Sequence, residues 1–345
     1  MIYDEKILVA LSGGVDSSVA ASLLLEQGFT CVAAHLALFD GASEAESACL
    51  AAQRLHMPFH VFDMHGQFKQ KVIEHFVKSY LRGETPNPCV ECNKHIKFGA
   101  LLEKATELGC DKIATGHYAR VEFVNNRWLI KKALDGSKDQ SYVLYTLTQA
   151  QLACVNFPLG DMTKKQVREY ALEKNFPNAG KSESQDICFV PDGDYGAFLE
   201  RYTGQELCPG DFVDPQGHVL GRHRGTACYT LGQRKGLGLA LPQPGYVCGI
   251  DPARNTVTVG EEALLFGKTL HARDVNLIAF DTLESPLRCK AKIRYRQAEQ
   301  WAFAEQTDAD TLRVTFDAPQ RAITPGQAVV LYDGEAVVGG GTIFK

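Results

Sequence analysis

Three stretches of this chain carry residue types suited to chemistry. In Ser12-Gly13-Gly14-Val15-Asp16-Ser17-Ser18 two glycines let the backbone fold closely over an anion, and the serine hydroxyls add donors. A helix behind them would aim free N–H groups and a positive dipole end at the same point. No Gly-Lys-Ser/Thr follows, so this is not a Walker A loop, and a lone glycine-serine turn before a helix is usually only a turn. The second stretch, Thr85-Pro86-Asn87-Pro88-Cys89-Val90-Glu91-Cys92-Asn93-Lys94, holds a C-x-x-C pair, the spacing of redox, zinc and iron–sulfur sites alike. A structural zinc site would need a second such pair, and the chain has none. Pro86 and Pro88 predict a stiff non-helical loop there. A third cysteine, Cys188, lies in Ser184-Gln185-Asp186-Ile187-Cys188-Phe189, after the polar Gly180–Glu183 stretch. In the third stretch, 288–296, every even position is Arg or Lys. On a strand, Arg288, Lys290, Lys292, Arg294 and Arg296 would line one face, with Cys289, Ala291, Ile293 and Tyr295 inward. Two readings stay open: an RNA-backbone face, and a solvated edge strand whose cations discourage aggregation.

The elements that must position these residues follow from periodicity. Lys6–Leu11 is a short apolar run, the pattern of a buried parallel strand, and a helix follows the glycine turn through Leu25 to Gly28. Further strands are predicted at Cys31–Phe39, His60–Asp63 and Lys112–His117, and helices at Ser43–Leu55, Phe68–Leu81 and Phe98–Leu108. This alternation argues for a parallel sheet covered on both faces, with ligands at the carboxyl ends of its strands. Ser12–Ser18, Leu36 and Gly116-His117 would share that edge. Trp128–Ile130 suggests a short hairpin strand. Thr163 suits an N-cap for a helix to Asn175 that buries Val167, Tyr170 and Ala171. From about Gly204, glycine, proline and short alternating strands replace the helices.

With 345 residues the chain is too long for one ordinary core. Three blocks are expected: 1–203, an α/β parallel-sheet domain; 204–266, β-rich and full of turns; and 267–345, a small barrel or sandwich. Hydrophobic content of 45% is that of a soluble globular protein, and no apolar run is long enough to span a bilayer. A cytoplasmic protein is expected. The 11 cysteines are an odd number and scattered, which argues against a disulfide framework. A net charge of −5 argues against indiscriminate coating of nucleic acid, but hides any locally basic face. There is no internal repeat or low-complexity tract. Cys31, Cys110, Cys154, Cys228, Cys248 and Cys289 read as small core residues. His56, His60, His65 and His75 lack a ligand-like pattern, and Trp128 reads as packing.

The Ser-Gly-Gly-x-Asp-Ser string resembles the PP-loop of ATP pyrophosphatases, the adenine nucleotide α-hydrolase-like fold. With Thr85-Pro86-Asn87-Pro88, Cys92-Asn93-Lys94, Ile96-Lys97-Phe98, Thr115–Arg120, Lys138–Tyr142, Asp186–Phe189, Thr230–Gly238 and Thr324-Pro325-Gly326-Gln327, the whole chain resembles the tRNA-specific 2-thiouridylases of the MnmA type. The resemblance implies a PP-loop domain followed by two β-rich domains, the last a small tRNA-binding β-barrel. It implies adenylation of the C2 oxygen of a wobble uridine and its replacement by sulfur. It assigns ATP to Ala10, Leu11, Ser12, Gly13, Gly14, Val15, Asp16, Ser17, Leu36 and Gly116, with Mg2+. By the same resemblance Cys188 would carry the persulfide and Cys92 would be its partner nucleophile. Asn87, Pro88 and Cys89 would meet the target base, and His117, Lys138, Asp139, Gln140, Arg294, Tyr295 and Gln327 would contact tRNA. The implied partners are tRNAs for Glu, Gln and Lys and a cysteine desulfurase or sulfur-relay protein.

Many members of that family carry Asp where this chain has Cys89. Cysteine is a soft metal ligand, so a 4Fe–4S cluster on Cys89, Cys92 and Cys188 is an alternative sulfur route. The Asp40–Ser47 stretch is also shorter than in many relatives. Two rivals remain: a PP-loop ligase that uses ammonia and has no need of Cys92 and Cys188, and a catalytically silent RNA-binding relative.

Overall fold

The computed structural model describes residues 4–39, 42–176, 178–179 and 187–345. Asp40 of the shortened stretch, the Gly180–Glu183 stretch and Ser184-Gln185-Asp186 lie outside the described residues. The first strand, β1 (Lys6–Ala10), leads through the glycine turn into α1 (Val15–Glu26). Then come β2 (Thr30–Ala37), α2 (Ala42–Arg54) and β3 (Phe59–Asp63). A long helix, α3, covers 65–81 with a π-helical turn at Lys69–Ile73. The next helix, α4 (88–107), carries a second π-helical stretch, Asn93–Ala100. After β4 (Lys112–Ala114) comes a hairpin, β5 (Ala119–Val124) and β6 (Arg127–Lys132), then β7 (Val155–Asn156).

The first sheet has the order β3-β2-β1-β4-β7, and its pairs are parallel. Chain order runs outward from β1 toward β3 on one side and toward β7 on the other. The turn after β1 therefore sits where the strand order reverses, the crevice at which such sheets take ligands. Ile7, Leu8 and Val9 are fully buried, as a strand covered on both faces requires.

Helix α4 corrects one expectation. The two prolines do not keep the C-x-x-C pair out of helix: Asn87 is an N-cap whose Oδ1 accepts from Cys89 N (3.1 Å), and Pro88 is the first helical residue. A proline there loses nothing, because its missing N–H would have had no intrahelical partner. By contrast α5 (Lys164–Glu173) follows the expected rule. Thr163 caps it and Gln166 Oε1 accepts from Thr163 N at 2.8 Å, with Val167 and Ala171 fully buried.

Beyond helix α6 (Tyr195–Thr203) the chain is β-rich. Strands β8 (Gly210–Val213), β9 (Val219–His223), β10 (Tyr246–Asp251) and β11 (Thr256–Gly260) form a four-stranded sheet. They are followed by β12 (Phe266–Leu277), β13 (Leu287–Lys292), β14 (Gln300–Asp308), β15 (Thr311–Arg321), β16 (Ala328–Asp333) and β17 (Ala336–Ile343). These six run β12-β15-β14-β13-β16-β17, and β17 pairs back to β12, so the sheet closes into a barrel. The β5–β6 hairpin joins it: β6 pairs with β17 through Lys131 and Ala336. Arg127 strengthens the joint, donating to Phe280 O (2.7 Å) and Asp281 Oδ1 (2.8 Å). One hydrophobic cluster accordingly spans Leu8, Val32, Phe98 and Tyr142 on one side and Val330, Tyr332 and Val337 of the barrel on the other. Among the described residues no helix is long and apolar enough to cross a membrane.

Candidate active site

The Ser12–Ser18 turn shapes itself from its own residues. Ser17 Oγ donates to Gly14 O (3.1 Å) and lies 3.2 Å from both Ser12 N and Ser12 Oγ, while Ser18 Oγ donates to Gly14 O (3.1 Å). Gly14 caps α1 without a side-chain bond, so the helix start offers its first N–H groups and its dipole to an anion. Gly13 has φ +74°, a conformation costly for other residues. A Cβ on Gly116 would stand 2.8 Å from Ser17 N; only glycine lets the segment after β4 lie on this turn.

Two elements complete the turn from a distance. Lys164 donates to both oxygens of Asp16 (2.7 and 2.8 Å), and Tyr118 OH donates to Oδ1 at 2.8 Å. Asn178 Nδ2 donates to Gly13 O (3.0 Å). The sequence reading missed Lys164 and Asn178. Thr163 signals the start of a helix, but nothing local says that the next residue reaches back to Asp16. Both Asp16 oxygens are engaged by Lys164, and Oδ1 by Tyr118 as well.

The three candidate thiols come from two separate segments. Cys92, on α4, is buried among Met64, Phe68, Val72, Ile96 and Ala100. Phe189 packs edge-on against Phe68 (5.8 Å) and Phe76 (5.2 Å), which pins its neighbour Cys188 to the same aromatic wall. Cys89 and Cys188 are exposed. Burial raises the Cys92 thiol, and Lys97 opposes the rise. Although its surface reaches solvent, Cys188 is desolvated by the protein around it and pushed up to about 12. Cys92 and Cys89 lie near enough to add to that rise, and Lys97 again opposes it. Lys97 is thus a cation within electrostatic reach of both thiols, a role that its place between Ile96 and Phe98 does not advertise. Among the described residues no three His, Cys, Asp or Glu side chains stand close enough together to hold a metal ion.

Several residues expected to touch RNA make contacts within the protein. His117 is buried between the Phe98 and Phe157 rings, with Thr115 Oγ1 2.7 Å from its Nδ1. Burial and Lys97 hold its pKa well below the ordinary value. Asp139 accepts from Ala133 N (3.1 Å), Ser141 N (3.2 Å) and Ser141 Oγ (2.8 Å), and Gln140 Oε1 accepts from Tyr118 N (2.9 Å). Pro88 is buried and Lys138 half-buried. Arg294 and Gln327 bond to protein acceptors at the junction of the three sheets.

The basic row 288–296 keeps half of its expected pattern. Cys289, Ala291 and Ile293 are each 1% exposed, but β13 ends at Lys292 and Tyr295 turns outward, 36% exposed. Nor do the cations stand in one open line. Arg288 pairs with Asp317 through two bonds (2.7 and 2.6 Å) and lies over the Trp301 and Phe303 rings of β14. Lys290 lies over Trp301 as well.

Three family models match the chain: "tRNA methyl transferase HUP domain" over residues 5–192, "tRNA methyl transferase PRC-barrel domain" over 196–261 and "Aminomethyltransferase beta-barrel domain" over 267–343. The "tRNA-specific 2-thiouridylase MnmA" of Carboxydothermus hydrogenoformans is 48% identical, across 100% of this chain and 99% of that protein. Its counterpart in Acetivibrio thermocellus is 47% identical, across 98% and 99%. Among solved structures, a 4-thiouridine synthetase–RNA complex with bound ATP aligns with a TM-score of 0.37 at 16% identity, over 58% of this chain and 50% of that one.

Proposed function

The chain belongs to the family of tRNA-specific 2-thiouridylases, and we propose that it exchanges the C2 oxygen of a tRNA wobble uridine for sulfur at the expense of ATP. The convergence of Cys188 with Cys92 on one aromatic wall beside Lys97 carries this reading. A PP-loop alone would serve an ammonia ligase equally well; a pair of thiols serves sulfur.

Uracil's C2 carbonyl is a poor electrophile whose oxygen does not leave. Attack of that oxygen on the α-phosphorus of ATP, with pyrophosphate departing, makes it an AMP ester and a leaving group. The Ser12–Ser18 turn, the α1 N-terminus, Leu36 and Gly116 would hold the triphosphate. Mg2+ bound to the phosphates would offset the charge on the pyrophosphate. The terminal sulfur of a Cys188 persulfide then attacks C2 and AMP leaves, giving a disulfide between that sulfur and Cys188. The Cys92 thiolate attacks Cys188 Sγ, the C2–sulfur leaves as the thiocarbonyl, and a Cys92–Cys188 disulfide remains for an external thiol reductant. Sulfur would come from a cysteine desulfurase or a relay protein, and by family resemblance the substrates are the tRNAs for Glu, Gln and Lys. Cys89 stands where relatives carry a carboxylate, exposed at the first turn of α4, positioned to meet the target base with Asn87.

Mass spectrometry of tRNA nucleosides after incubation with ATP and a sulfur donor tests the reading. Wild-type protein should convert uridine to 2-thiouridine and Cys188→Ala should abolish the product while retaining tRNA-dependent pyrophosphate release. Conversion surviving in Cys188→Ala, or a methylated nucleoside, would overturn it. Iron and sulfide assay of anaerobically purified protein addresses the cluster alternative: a colourless, active preparation removes it.

A further inference from the structure

The segment that delivers Cys89 and Cys92 is held by both C-terminal units. Thr85 N donates to Pro325 O (2.8 Å) and Gln327 Nε2 donates to Thr85 O (2.7 Å), so the barrel grips both backbone groups of this residue. A Cβ on Gly326 would lie 2.9 Å from Thr85 N, so the contact is as close as backbones allow. From the middle sheet's side, Thr85 Oγ1 meets Thr230 Oγ1 at 3.4 Å, and Gly83 is so close to Pro252 that a Cβ would stand 2.9 Å from its Cγ. Glu84 is salt-bridged to Arg273 of β12 (3.4 Å).

The turn that grips Thr85 is itself under tension and has its own tie. Buried Ala322 sits at φ +53°, which costs an L-residue roughly 1–2 kcal/mol. Arg294 reaches across it, its Nη2 donating to Thr324 Oγ1 (2.7 Å), Ala322 O (3.4 Å) and Leu231 O of the middle block (3.2 Å). The guanidinium is half-buried with no carboxylate among its hydrogen-bond acceptors, and its Nε is buried without a partner. A charge desolvated in this way costs stability; what it supplies here is one nitrogen, Nη2, that joins the barrel turn to the middle block.

We propose that Arg294 and Gln327 are positioning residues for the thiolation reaction: they set where Asn87, Cys89 and Cys92 stand by locking Thr85 to the barrel turn. This rests on the thiolation reading above. It separates the two residues from a simple role in gripping RNA phosphates, because it requires them to act when no tRNA is present.

The test uses the full chain. In tRNA-free protein, hydrogen exchange at the amides of Thr85, Asn87 and Cys89–Cys92 should accelerate about tenfold in Gln327→Ala and in Gln327→Glu, the equivalent of one lost hydrogen bond. Arg294→Met removes the donor nitrogen while keeping the stem, and should behave like them. With tRNA, kcat should fall about tenfold while KM for tRNA stays within about twofold, the mark of lost alignment rather than lost binding. Unchanged exchange in all three variants, or a raised KM with kcat preserved, overturns the proposal in favour of direct RNA contact. Should wild-type protein make no thiouridine, the thiolation reading fails, while the exchange measurement still decides whether the clamp exists.

Discussion

Ser12, Gly14, Ser17 and Ser18 bond to one another within a single turn, whereas the thiol site has no comparable local scaffold. Cys92 and Cys188 meet because Phe189 enters a cluster on α3, and the entry to α4 is gripped by residues of the middle sheet and the barrel. The turn is a cassette on the first sheet, tied from outside only by Tyr118, Lys164 and Asn178 among the bonds described above. The thiol site is an assembly, correct only when three sheets are correct. The two should therefore fail independently.

Paired variants give the largest effects. Cys188→Ala should eliminate thiouridine yet leave pyrophosphate release, whereas Gly116→Ala should slow both together, because adenylation precedes sulfur attack. The Cβ added at 116 would press on Ser17 N and slow tRNA-dependent pyrophosphate release by about 100-fold, the scale of an ångström of misplacement. Alkylation of Cys89 should proceed at the wild-type rate in Gly116→Ala; a changed rate would show that the two sites share a scaffold. Next, Lys97 opposes the upward shift of both Cys92 and Cys188. Lys97→Met should slow sulfur transfer at neutral pH about fivefold, the rate equivalent of ~1 kcal/mol from a partly exposed charge. The rising limb of the pH–rate profile should move to higher pH, with adenylation unaffected.

The smallest effect on turnover belongs to His117, whose contribution is to stability. Its folded-state pKa lies below the ordinary 6.5 because burial disfavours the cation. As pH falls beneath 6.5 the unfolded chain gains a proton that the folded one refuses. The resulting stability is complete above that pH and lost below it, by up to about 1.4 kcal/mol per pH unit. Thermal melts of His117→Phe between pH 7 and 5 should show a shallower decline than wild type; an equal slope would mean that other groups govern acid unfolding.

The same contrast decides what could be read from residues alone. The turn was legible because its glycines, serines and following helix are contiguous, and the Thr163 N-cap of α5 for the same reason. The inward set Cys289, Ala291 and Ile293 followed from strand periodicity, but the outward cations met Trp301 and Phe303 on a neighbouring strand, which periodicity does not reveal. Prolines at 86 and 88 gave a loop where Asn87 starts a helix, since a proline at the first helical position and one in a loop look alike. The grip on Thr85 left no local trace, because its partners lie on segments joined only by the folded barrel.

The β5–β6 hairpin has a consequence for the order in which the molecule is made. Lys131 of β6 waits for Ala336, and the core around Leu8 and Phe98 waits for Val330, Tyr332 and Val337. During synthesis the first sheet can form, but a strand and part of its core stay unfilled until almost the whole chain has left the ribosome. A fragment cut near residue 203 would inherit that exposed strand as a template for association. The thiol-bearing helix would then gain its grip only after the barrel closes, so on the proposed reading the nucleotide turn of a half-made enzyme would be in place before its thiols.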